Sequence, residues 1–152
     1  MKKIKLLFIF ILVAATSHAQ NEKPIYDSIL AKTLGSDEYG MKQYVLVILK
    51  TGTNLNSDSK YLDSCFTSHM NNIKHQVKQG KMIVAGPLVK NEKNYRGIFI
   101  LNTNSFEETK EILKDDLAIS EKILEIELFN WYGSAALPEY LESSERIWKK
   151  GF

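Results

Sequence analysis

Cysteine is nearly missing from this chain: Cys65 stands alone among 152 residues. A disulfide framework within one copy and a Cys-rich zinc site are therefore excluded. Histidine is almost as scarce, with His18, His69 and His75. His69 and His75 are six apart, on different faces of a helix, so a metal site built from several imidazoles is not expected. The sequence also lacks a glycine-rich phosphate loop, a G-x-S-x-G elbow and an H-E-x-x-H pair. Internal repeats and low-complexity segments are absent. Apolar residues make up 44% and charged residues 25%, which rules out a disordered chain, a collagen or a rod as the main body. The length allows one domain and is too short for two full ones.

What is there begins with a leader. Lys2, Lys3 and Lys5 form a basic head, Leu6 to Ala15 is an unbroken apolar run, and Ser17-His18-Ala19 supplies small residues where a signal peptidase reads. Residues 1–19 are read as a secretory signal peptide cleaved after Ala19. The run is short for a membrane span. The expected location is outside the cytoplasm, periplasmic or secreted, with no stable membrane association after cleavage. The whole chain carries 20 basic and 18 acidic residues. Taking away the three leader lysines leaves 17 against 18, a net of −1. No nucleic-acid partner is expected at that charge.

Residues 20–40 read as an N-terminal arm with one helix before Gly35. Tyr44 to Leu49 is apolar at every position and predicts a central strand covered on both faces. Thr51 to Ser59 is a loop, with Ser57 or Ser59 to cap the helix that follows. Tyr61 to Gln79 repeats apolar residues at helical spacing, and Gly80 suits its C-terminus. Cys65 falls in that apolar pattern as a small buried hydrophobe. Lys81 to Ala85 is a short strand ended by a Gly86-Pro87 turn. Gly97 to Leu101 is a third strand. Ser105 and Glu108 spell a capping box for a second helix through about Lys114. Ile123 to Tyr132 alternates as a fourth strand, and residues 134–152 form a helical tail.

The order is β-α-β-β-α-β with a helix added at each end. That is an α+β, ferredoxin-like arrangement: an antiparallel four-stranded sheet with both helices on one face. The other face carries Phe129 and Trp131 and needs a cover, so a homodimer paired face to face is expected.

His69 sits in the apolar stripe of the long helix, pointing toward the sheet. Taken alone, it reads as a core-edge histidine satisfied by one hydrogen bond. Asp115 and Asp116 follow the second helix, where acids oppose the helix dipole and so call for a reason elsewhere. Taken alone, they read as solvated loop acids.

The stretches HMNNIKHQVKQGKMIVAGP (69–87) and DDLAISEKILEIELFNW (115–131) carry a resemblance. Together with EYGMKQYVLVILKTG, YRGIFILN and NWYGSAAL, they make residues 41–133 resemble the exported branch of the YCII-related domain family, within the dimeric α/β-barrel superfamily. His69, Gly80, Gly86, Pro87, Asp115 and Trp131 match the family frame. The resemblance implies that His69 and Asp115 form an acid–base pair in a cleft, the carboxylate fixing the imidazole tautomer. The family acid is commonly followed by Pro, whereas Asp116 stands there, so a one-residue slip makes Asp116 the fallback. Many members also carry an Arg just before the His, where this chain has Phe66, Thr67 and Ser68. Arg96 is the substitute for holding an anion, or else a strand-end surface charge. Tyr132 and Ser134, with Tyr44 behind them, are further candidates to line the mouth.

The functional expectation is a cofactor-free lyase or isomerase acting on a small organic molecule. Two alternatives remain: a non-catalytic small-molecule binder using the same pocket, and an interaction module whose dimer is the working unit. Haem, which some dimeric α/β barrels hold, would need His69 as its axial ligand, and no cofactor is expected.

Overall fold

A computed structural model describes residues 25–150. The expected signal peptide and its cleavage after Ala19 lie outside the described residues. The elements in chain order are α1 (Ser28–Leu34), β1 (Met41–Thr51), α2 (Ser59–Lys78), β2 (Met82–Pro87), β3 (Tyr95–Leu101), α3 (Phe106–Leu113), α4 (Leu117–Ser120), β4 (Leu124–Ser134), a single 3-10 turn (Leu137–Glu139) and α5 (Tyr140–Ile147).

The four strands form one sheet in the order β2-β3-β1-β4, every neighbouring pair antiparallel. β2 and β3 are a direct hairpin. The other neighbours are not consecutive, so α2 and the α3–α4 pair each carry the chain across the sheet. The fold is α+β with a helix at either end.

Alternation in β1 decides which face holds the core. Val45, Val47 and Leu49 are buried with Phe99, Leu101, Met82 and Leu124, and with Ile112, Leu113 and Ala118 from α3 and α4. Ile73 and Val77 of α2 pack against the same cluster. Each fully buried Val, Leu or Phe contributes roughly 1.5–3 kcal/mol. Leu46, Ile48, Ile98, Ile100 and Val84 alternate onto the opposite face and are only half-buried. β1 is thus central, as its composition predicts, but its second face is only partly covered within this chain: Tyr44 on that face is fully buried, whereas Leu46 and Ile48 are half-buried. Trp131 pairs with the buried Tyr44 and Phe129 with Leu46, so both aromatics lie on this second face, which is open at Phe129, 48% exposed.

Local signals explain most element ends, with some departures. Asp58, rather than Ser57 or Ser59, caps α2 by accepting the Tyr61 N–H at 2.8 Å. Gly80 follows α2 with a φ of +67°, where a Cβ would be strained. Ser105 caps α3 through the Glu108 N–H at 3.2 Å, but the box is not reciprocal. The Glu108 carboxylate instead accepts from Thr103 Oγ1 at 2.5 Å, and Thr103 Oγ1 accepts the Ser105 N–H at 3.1 Å. Gly86 and Pro87 are not a turn: they finish β2, paired with Ile98 and Gly97. α4 has no counterpart in the pattern reading. It begins immediately after Asp116, which places that acid at a helix N-terminus instead of a C-terminus.

Candidate functional site

α2 presents two stripes. Cys65, His69 and Asn72, at the spacing of a helical face, are its buried residues. Phe66, Met70 and Ile73 look toward a cavity between the helix and the strand ends. His69 belongs to both, because it is 92% buried and still lines that cavity.

His69 Nδ1 lies 2.7 Å from Asp116 Oδ2. Asp116 is wholly buried. Its other oxygen accepts the Ala118 N–H at 3.1 Å, the N-cap bond of α4. A buried carboxylate needs donors on both oxygens, and the two bonds supply them. With Asp116 ionised, a neutral His69 carries its proton on Nδ1 and donates it to the carboxylate. Nε2 is then a bare acceptor. It makes no hydrogen bond among the described residues, and Asn72 Nδ2 is the one buried side-chain nitrogen or oxygen without a partner there. The imidazole rests on Phe99 of β3 with ring centroids 5.7 Å apart and a tilt of 32°, and Phe66 meets it edge-on at 6.3 Å. Such ring contacts are worth roughly 0.5–1.5 kcal/mol each beyond area burial.

Asp115 is not brought to His69. Its side chain is exposed, and its backbone carbonyl accepts from Ser68 Oγ at 3.3 Å. Ser68 Oγ also accepts the Leu117 N–H at 3.3 Å. These two bonds tie the α3–α4 junction to α2 on either side of Asp116, and so aim the acid. Gln76 Nε2 adds a bond to the Ile112 carbonyl at 3.3 Å one layer along. Pattern reading missed Ser68 as a positioning residue. Its signal was its place beside His69 on the helix face turned toward the acids.

The cavity is about 510 Å³, within the usual range for small-molecule sites. Its walls are Phe66, Met70 and Ile73 from α2, Leu49 and Thr51 from β1, Ala85, Gly86 and Pro87 from β2, Arg96, Gly97 and Phe99 from β3, and Ile123 and Leu124 at the start of β4. Four of its wall positions, Ala85, Gly86 and Pro87 in a row and Gly97 on the neighbouring strand, carry little side chain and leave it room. Gly97 is tight as well as small: a Cβ there would lie 2.8 Å from the Gly86 carbonyl oxygen and 3.4 Å from Leu49 Cδ1. Apart from His69, the polar side chains of the wall are Thr51 and Arg96. Arg96 Nε donates to Thr51 Oγ1 at 2.5 Å.

Tyr132 and Ser134 are at the wrong end of β4. Leu124 borders the cavity, and Tyr132 is eight residues further along the strand, roughly 25 Å at about 3.3 Å per residue. There the Tyr132 hydroxyl donates to the Asp37 carboxylate, and Asp37 also accepts the Tyr39 and Met41 N–H groups. These bonds hold the Asp37 carboxyl below its ordinary value, the Tyr132 bond being the largest cause, and hold the Tyr132 phenol up. The Ser134 carbonyl accepts from Tyr44 at 2.8 Å, and Ser134 Oγ accepts the Ala136 N–H. Tyr44 is fully buried and has no share in the cavity. His75 is exposed on the far side of α2, and Cys65 is buried with a free thiol.

No protein-family model matches the chain, and no curated protein matches it at a significant level.

Proposed function

We propose that this protein is an exported member of the YCII-related domain family, folded as a ferredoxin-like unit of the dimeric α/β-barrel type, that binds a small organic molecule beside His69 and moves a proton on it without a cofactor. One observation carries the reading. His69 has one ring nitrogen tied to a buried carboxylate, and the other is left without a partner among the described residues on a cavity of about 510 Å³ whose wall is apolar apart from His69, Thr51 and Arg96. The acid role belongs to Asp116.

In this reading Nε2 takes a proton from a C–H or O–H of the bound molecule. The Asp116 carboxylate balances the charge of the imidazolium that forms. In an isomerisation the same proton returns to another atom of the ligand. In an elimination the freed electron pair expels a leaving group. Apolar walls keep water from competing for the proton.

The apolar lining also favours a second reading, a binder that sequesters a small molecule, with Nε2 accepting a hydrogen bond from it. Turnover separates the two. His69→Gln keeps a planar polar side chain but cannot act as a base. Binding kept with turnover lost supports the catalyst. A ligand screen by thermal shift, repeated on His69→Ala, tests the site itself: hits that stabilise the native protein should vanish in the variant. Hits that persist unchanged contradict it.

The half-exposed row of Phe129, Leu46, Ile100 and Val84 supports a homodimer that joins two such sheets face to face.

A further inference from the structure

Among the described residues Arg96 has no acidic partner. The ion pairs among the described residues are Lys50–Glu127, Lys114–Glu111 and His69–Asp116, and the cavity wall contains no Asp or Glu. The Arg96 guanidinium spends its Nε–H on Thr51 Oγ1, and that bond draws the side chain onto the cavity wall. The terminal N–H groups are left without a protein acceptor among the described residues. They form a planar fork, the shape that a carboxylate matches with two parallel bonds. Arg96 is exposed at the edge of the cavity and His69 is buried in its wall, and the side chains that line the same cavity with them include the apolar Leu49, Phe99 and Ile73.

From this we infer that the cavity selects a monoanionic ring acid: a carboxylate held by Arg96, with an apolar ring body lodged against Phe99 and beneath His69 Nε2. The inference rests on the reading of the cavity as a small-molecule site and adds the ligand class. A body larger than one ring has room, since the site is several times the size of cavities of about 150 Å³ that take up benzene. A neutral ligand would leave the Arg96 fork to water and gain nothing from it. A second charge on the inserted ring body would lie against the apolar side chains of the wall. The reacting position is thus on the ring body, away from the carboxylate.

The test uses ring-matched pairs on the purified protein, each a carboxylate with its neutral amide: benzoate and benzamide, 2-naphthoate and 2-naphthamide, 4-phenylbutyrate and 4-phenylbutyramide. Acetate and 2-naphthalenesulfonate are added, and Kd is read by calorimetry. The expected result is a carboxylate preference of about tenfold in the best-fitting pair, weakened by salt. Arg96→Gln should abolish the preference by weakening the acid far more than the amide. His69→Gln should leave the preference in place, and acetate should not bind. Equal binding of acid and amide overturns the anion assignment while the small-molecule site stands. A preference that survives Arg96→Gln overturns it too. Sulfonate binding as tightly as carboxylate overturns the carboxylate assignment in favour of any monoanion. Failure of every ring probe at millimolar concentration overturns both the ligand class and the cavity reading beneath it.

Discussion

Asp116 reaches His69 from the first position before α4, so one carboxylate both starts a helix and orients an imidazole. Its Oδ1 bonds to the Ala118 N–H, and its Oδ2 lies 2.7 Å from His69 Nδ1. Asp115, one residue earlier, is exposed and contributes only its carbonyl, to Ser68.

That contrast is measurable. Asp116→Ala strips the buried ring nitrogen of its partner and removes a cap, a loss of about 3 kcal/mol or more. Asp115→Ala should change stability by less than about 0.5 kcal/mol. Urea denaturation of the two variants should give a midpoint drop for the first and none for the second.

Gly97 should be intolerant of even a methyl group. The added Cβ would approach the Gly86 carbonyl to 2.8 Å across a strand pair that cannot separate without breaking its ladder. Gly97→Ala is expected to cost roughly 1–3 kcal/mol and to weaken every ligand that occupies the cavity. Ala85→Val also adds bulk to the cavity wall but lies on the exposed edge strand, so weakened binding there with little loss of stability would separate occlusion from strain.

Tyr132 is predicted to matter to an acid at the far end of the sheet and not to the cavity. Removing its hydroxyl in Tyr132→Phe takes away the largest cause of the lowered Asp37 value. The Asp37 carboxyl should then titrate closer to an ordinary Asp in a carbon-detected NMR titration. The sign follows from the direction. A depressed carboxyl adds stability above its unfolded value, and that stability is lost as pH falls through the folded value. The variant should therefore lose less stability than the native protein on acidification. Ligand binding at His69 should be unchanged.

The open sheet face sets the oligomeric state in the proposed assembly. Phe129 stands 48% exposed beside Leu46. Phe129→Glu would put a charge in the middle of a face-to-face interface. Light scattering should report a dimer for the native protein and a monomer for the variant, with the circular dichroism spectrum retained. A native monomer contradicts the dimer proposal.

The parts of this protein that follow local rules were readable from its residues. Helical spacing marks α2, alternation marks β4, and Gly80 stops a helix as its free backbone allows. The choice between Asp115 and Asp116 was not local. It turns on where α3 ends and a four-residue helix begins, and a slip of one residue there exchanges a solvated acid for a buried one. The cavity was hidden for another reason. Ala85, Gly86, Pro87 and Gly97 signal by what they leave empty, and Gly86-Pro87 reads as a turn until the β2–β3 pairing is known. Tyr132 and Ser134 read as mouth residues because aromatics and hydroxyls near a strand end look alike at either end. Asp116 opens α4, which leads into β4, and it is Leu124 at the start of that strand that borders the cavity.

The central claim concerns which nitrogen of His69 holds its proton. A two-bond proton–nitrogen correlation spectrum of the nitrogen-labelled protein, taken where His69 is neutral, reads this directly. Protonated Nδ1 and pyridine-like Nε2 are predicted, with the Nε2 signal moving when a ring acid fills the cavity. A proton on Nε2, or an Nε2 signal that ignores every bound ligand, would contradict the account.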